Sequence, residues 1–156
     1  MAILKIVKVD DPILRKTSRP VEEITPRIIT LLDDMKETMR EAKGCGLAAP
    51  QVGILRRIAI VETEEGEVIE LINPKIVAKA GEQQETEGCL SLPGQWGITK
   101  RPKAVTVRAT NRKGEEFEVR GCDLLARAFC HEIDHLDGKL FTDVSVRMLS
   151  RDEIEG

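Results

Sequence analysis

The stretch from about Asp123 to Leu136, DLLARAFCHEIDHL, constrains the fold more than any other segment of this chain. It reads as a helix that stops at Gly138. On a helix, Leu124, Leu125, Ala128, Phe129, Ile133 and Leu136 cover more than half of the circumference. A surface helix needs only one apolar stripe, so this one has to be covered from several sides. The remaining residues must supply that cover, and 156 residues suit a single domain over 1–156. TPRIITLLDDMKETMREAKG predicts a second helix, with Thr25 as N-cap, Pro26 in the first turn and Gly44 at the stop. Its residues Ile28, Leu32, Met35, Met39 and Ala42 share a core face. RRIAIVET and EVIELINP read as strands around a turn at Gly66. KAVTVRAT and EEFEVRG alternate with period two around NRKG, a hairpin with Gly114 in its turn. The tail opens with a capping box from Ser150 to Glu153. The expected class is α+β, mostly antiparallel sheets wrapped around the central 123–136 helix.

That helix carries H-E-x-x-H, and its His131 and His135 are the only two histidines in the chain. Residues four apart share a helix face, so both imidazoles can grip one metal ion. Without a cation, two buried imidazoles would each need a separate polar partner in a low-dielectric place. Glu132 lies about 100° round the helix from His131, beside the pair, where it can act as a general base without being a ligand. Asp134 points to another side.

A hydrolytic site of this type takes three protein ligands and keeps one position open for water. The metzincin pattern would place a third His six residues after His135, and Phe141 stands there instead. A thermolysin-like downstream Glu would have to be Glu153 or Glu155, both in the last four residues, which is a poor place for a ligand. The third ligand is therefore an upstream Cys, Asp or Glu. Cys89, in ETEGCLSLPG, is the best candidate: a thiolate is a strong ligand for zinc or ferrous iron, and Gly88 admits close backbone. Cys45, in a Gly-rich loop, stays open; Cys122 and Cys130 are read on the histidine helix, pointing away from the metal. GCGLAAPQVG supplies Gly44 and Gly46, which let backbone pass close to a bound molecule, and Gln51, an uncharged amide donor suited to a developing oxyanion. Leu124 and Ala128 would line an apolar pocket beside the histidines.

Other classes find little support. Net charge is −3 with both signs interspersed, which gives no electrostatic case for a nucleic-acid or membrane partner. Trp96, Phe117, Phe129 and Phe141 are the only aromatics, too few for a base-stacking surface. The N-terminus lacks a signal-peptide core, and no apolar run approaches ~20 residues. Four cysteines without a C-x-x-C pair read as thiols in a reducing, cytoplasmic setting.

Three segments in this order, GCGLAAPQ (44–51), EGCLS (87–91) and HEIDH (131–135), resemble the signature motifs of the peptide deformylase family, and DPILR near the N-terminus resembles it as well. The resemblance implies hydrolytic removal of the formyl group from the initiating methionine of new polypeptides. It implies Cys89, His131 and His135 as metal ligands, Glu132 as general acid/base, and Gln51 with the Leu90 backbone N–H on the carbonyl oxygen. It also implies Glu87 as a supporting carboxylate paired with Arg101. The implied metal is one divalent ion, ferrous iron, with zinc, nickel or cobalt as substitutes. The implied partners are N-formylmethionyl peptides, with transient ribosome contact. Two departures stand out: Cys130 replaces the Gln common before the first His, and many members continue into a longer C-terminal helix that can serve ribosome docking. A general H-E-x-x-H metalloprotease and a non-catalytic homologue with a structural metal are the alternatives.

Overall fold

The computed structural model describes residues 2–155. In chain order it forms a 3-10 turn (Pro12–Arg15), helix α1 (Pro26–Glu41), strand β1 (Gly46–Ala48), a 3-10 turn (Ala49–Val52), and strands β2 (Ile58–Glu62) and β3 (Val68–Ala80). Strands β4 (Gln83–Cys89), β5 (Leu92–Arg101), β6 (Ala104–Thr110) and β7 (Glu116–Cys122) follow, then helix α2 (Leu124–Leu136). A 3-10 turn (Phe141–Asp143), strand β8 (Ser145–Met148) and the short helix α3 (Arg151–Glu155) end it. Every strand pair is antiparallel; one sheet has the order β1-β2-β3-β6-β7 and the other β4-β5-β8. Helix α2 packs against strands of both sheets, as its nearly all-round apolarity requires. Phe129, Ile133, Ala126 and Ala128 join Val61, Leu71, Val105 and Val107 in one core cluster. Gly121 lets the helix approach β7 closely: a Cβ there would lie 2.8 Å from both Leu125 Cγ and Phe129 Cε2.

Two helix ends correct the sequence reading in detail. Thr25 caps α1 as expected, accepting from the Ile28 N–H. The left-handed stop falls on Lys43 (φ 58°), not on Gly44. Lys43 N–H donates to Arg40 O and Gly44 N–H to Met39 O, the paired bonds of a Schellman motif. Gly44 is needed for another reason: a Cβ there would sit 2.7 Å from Leu90 Cδ1. At α2, Asp123 is the residue before the helix and sits at φ 54°, ψ −118°, so the helix starts at Leu124. Cys122 consequently ends strand β7 and is exposed; it does not share the histidine helix. Gly138 (φ 73°) does stop α2, with Gly138 N–H on His135 O and Lys139 N–H on Asp134 O.

Strand β3 runs past Pro74, where the sequence reading ends it. A register shift between Ile72 and Lys75, with Asn73 at φ 53°, absorbs the proline that a regular ladder would reject. The β6–β7 hairpin turns through Gly114 (φ 82°), and the Ser150–Glu153 capping box forms in both directions. The β4–β5 hairpin and β8 are absent from the sequence reading. Their segments are polar or irregular in period, so alternation gives little signal.

Candidate active site

Helix α2 and strand β4 bring three donors together. The ligand atoms of Cys89, His131 and His135 lie within 4.8 Å of one another, and Cys89 Sγ is 3.4 Å from His135 Nε2. A register shift between Gly88 and Cys89, just before the Leu90–Ser91 turn, breaks the strand at the thiol. His135 is fully buried and His131 nearly so. Phe141, which occupies the metzincin ligand position, instead stacks on His131, with ring centroids 6.2 Å apart and planes 19° apart.

Around the triad a polar scaffold sets orientation. Glu87 Oε1 lies 2.6 Å from His131 Nδ1. An imidazole that coordinates through Nε2 carries its proton on Nδ1, so Glu87 accepts that hydrogen bond and fixes the ring. The Arg101 guanidinium donates to both Glu87 oxygens, at 2.7 and 3.3 Å, and Thr99 Oγ1 donates to Oε2 at 2.6 Å. Arg101 also donates to Asp134 at 2.6 Å. Asp134 thus ties α2 to the three-stranded sheet, a role that helix periodicity alone leaves undefined. Burial works to raise the Glu87 pKa, but hydrogen bonds from His131 and Arg101 overcome it and hold the carboxyl at about 2. Burial likewise opposes protonation of His131, yet the surrounding Glu132 and Glu87 carboxylates and the Cys89 sulfur keep it well above its ordinary range. Burial pushes His135 well below its own, and His135 Nδ1 has no partner among the described residues.

This arrangement fits a cation. The one thiol and two imidazoles are soft and borderline donors of the kind that zinc and ferrous iron take. The acidic surroundings that favour positive charge on His131 favour a cation beside it as well. Cys130 faces the core and Cys45 is exposed at the cavity wall; neither joins the cluster.

Glu132 sits beside the triad at 4% exposure, with Oε1 unpartnered among the described residues. Burial raises its pKa to about 7, the range for a general acid/base at neutral pH. Gly46 makes room for it: a Cβ there would lie 2.5 Å from Glu132 Oε2. Gln51, 1% exposed, is held by the Ala48 N–H on Oε1 at 3.0 Å. Its Nε2 donates to Cys89 Sγ at 3.5 Å and Ser91 Oγ at 3.2 Å, so the amide points at the reacting region. Ser91, fully buried, escaped the sequence reading; its position two residues after Cys89 was the available signal.

A cavity of about 470 Å³ opens onto these groups. Gly44, Gly46, Gln51, Cys89, Leu90, Leu124, Ala128, His131 and Glu132 all line it, so nine of the predicted site residues meet in one place and His135 lies behind them. Leu124 stands at its mouth and Ala128 deeper on the same helix face.

Comparison with known proteins agrees with this geometry. Residues 3–151 match the family model described as polypeptide deformylase. A peptide deformylase of Alkaliphilus metalliredigens is 58% identical over 147 residues, covering 94% of this chain and 99% of the relative. One of Caldanaerobacter subterraneus subsp. tengcongensis is 56% identical over 156 residues, covering 100% and 98%. The crystal structure of a peptide deformylase from Legionella pneumophila superposes with a TM-score of 0.88 at 43% identity, covering 97% of this chain and 88% of that one. The chain is a hydrolase that belongs to the polypeptide deformylase family.

Proposed function

We propose that this enzyme removes the N-formyl group from the N-terminal methionine of newly made polypeptides and releases formate. The observation that carries the reading is the convergence of a Cys89–His131–His135 donor set, a buried Glu132 and the Gln51 amide on one cavity. Cys89, His131 and His135 would hold a divalent cation, ferrous iron with zinc, nickel or cobalt as substitutes. When bound, that ion would supply positive charge that polarises a carbonyl and makes water more acidic. Glu87 keeps the proton of His131 on Nδ1, so Nε2 stays free to coordinate. Glu132 accepts a proton from the attacking water and returns it to the departing amine, and its burial beside the triad, which raises its pKa, suits a group that must hold a proton between the two transfers. Gln51 Nε2 and the Leu90 N–H, at the β4–β5 turn, hold the carbonyl oxygen as it gains charge.

The choice of bond follows from the formyl group itself: its carbon bears only hydrogen, so it is more open to attack than an ordinary peptide carbonyl, and Gly46, Leu90 and Gln51 line the cavity beside Cys89 and Glu132. The methionine side chain lies along Leu124 and Ala128. No helix among the described residues is long and apolar enough to cross a membrane. Newly made polypeptides as substrate would be met in the cytoplasm, in transient contact with ribosomes. The test is formate release from formyl-Met peptides by enzyme purified without oxygen and loaded with single metals. Internal cleavage of unblocked peptides would point to a general metalloprotease. A closed site lacking turnover with any metal would leave only a structural role.

A further inference from the structure

Resting on that reading, we infer that Trp96 is a specificity-determining residue, forming an apolar platform for the side chain that follows the formylmethionine. Trp96 is the only tryptophan in the chain and the only aromatic residue lining the site cavity apart from His131. It is 41% exposed, unusual for so large an apolar ring inside a concavity. One face is accounted for. Trp96 pairs across the β4–β5 ladder with Gly88, and a Cβ on Gly88 would lie 2.5, 2.6 and 3.0 Å from Cζ3, Cε3 and Cη2 of the indole. The ring therefore lies flat on the backbone one residue before Cys89, where only glycine admits it. Trp96 also lines the cavity, and two fifths of its surface stays open there.

The peptide's own path leads there. With the formyl group at Cys89 and Glu132 and the methionine along Ala128 and Leu124 on α2, the following residue leaves through the mouth. Its opposite wall is the β4–β5 hairpin, and Trp96 is the large apolar group on that wall. Lys43 and Arg127 line the cavity together with Glu87 and Glu132, so formal charge gives no net selection there and the apolar indole is left to select an aromatic or large aliphatic side chain. Burying one face of an indole against such a side chain is worth about tenfold in kcat/KM.

The experiment compares formyl-Met-Phe-Ala, formyl-Met-Ala-Ala and formyl-Met-Lys-Ala in the metal-loaded enzyme and in W96A and W96F. The expected result is about a tenfold preference for Phe over Ala in the parent, retained in W96F and reduced to within twofold in W96A. Because each value is a ratio within one protein, partial misfolding cancels. A single tryptophan with no tyrosine makes emission a direct second readout. In zinc-loaded E132Q, formyl-Met-Phe-Ala should shift the emission to the blue and formyl-Met-amide should not. A ratio unchanged by W96A, a preference for Lys, or an emission unmoved by a peptide shown to bind would overturn the assignment. Absence of formate from every formyl-Met substrate would instead sink the activity on which it rests.

Discussion

Replacing Glu87 by Gln should both destabilise the metal-free protein and loosen its hold on a cation. In the structure Glu87 is 8% exposed and receives four hydrogen bonds: from His131, from Thr99 and two from Arg101. The Gln amide keeps the shape but carries no charge, and half of its polar end donates instead of accepting. Arg101, 5% exposed, would then be left with Asp134 as its only carboxylate. Removing one partner of a buried ion pair costs about 3–5 kcal/mol, and the surviving Asp134 contact places this case at the low end. The titration of Glu87 gives the same size by a separate route. A folded pKa of about 2 against an ordinary 4.5, at about 1.36 kcal/mol per unit, is about 3 kcal/mol. The sign is fixed: a depressed carboxyl stabilises the fold above pH 4.5 and loses that contribution as pH falls towards 2. Urea unfolding of the metal-free protein at pH 7 should therefore show E87Q lower by about 3 kcal/mol, and the gap should close as the pH is lowered from 4.5 towards 2. Competition with a chelator should show metal affinity down about 10–100-fold, because His131 loses the charged acceptor that fixes its tautomer and strengthens the ring as a ligand. A stability change under 1 kcal/mol together with unchanged metal affinity would refute the claim that this carboxylate organises the site.

Three further variants extend the test. Glu132 has its pKa raised by burial to about 7, so its ionisation opposes folding as pH rises from 4.5 through 7; metal-free E132Q should match the parent near pH 4 and exceed it by up to about 3 kcal/mol at pH 8, read by urea unfolding. The same variant should bind metal yet lose about 10²–10⁴-fold in turnover, and near-normal rates would show that Glu132 is not the base. Gly46→Ala places a methyl group 2.5 Å from Glu132 Oε2, so turnover should fall at least tenfold with metal content intact, while an active variant would mean that the carboxylate moves freely. Asp123→Gly releases a non-glycine residue from φ 54°, ψ −118° and should raise thermal stability by about 1 kcal/mol, since the Lys103 ion pair it forfeits is exposed on both sides; a loss in Tm would show that the pair matters more than the backbone.

Much of the site was legible because chemistry restricts which residues can do a task. With only His131 and His135 present and Phe141 in the way, a third donor had to be sought upstream, and Cys89, beside a glycine suited to close approach, is the thiol the fold brings to the pair. Gln51, Gly44 and Gly46 stood out by type in an otherwise apolar loop. Asp134 and Ser91 did not, because each acts through a partner far along the chain, Arg101 for one and Gln51 for the other. The β4–β5 hairpin escaped for a related reason: its polar, irregular pattern reflects a wall that faces the site more than the core. Cys122 was misplaced because helix pattern locates a start only to within a residue or two, and Asp123 turns the chain there.

By itself, then, the sequence determined the α+β class, the central helix, the histidine pair that could hold a metal and the residue types of its surroundings. Periodicity and donor chemistry are local or composition-level properties. Only the tertiary structure decided which side chains meet. It set Glu87, Arg101 and Asp134 in one chain of contacts behind His131, laid Trp96 on Gly88, and brought the Glu132 carboxylate up to Gly46. Those juxtapositions depend on how two sheets close over one helix, and they decide which groups are buried and hence which are charged.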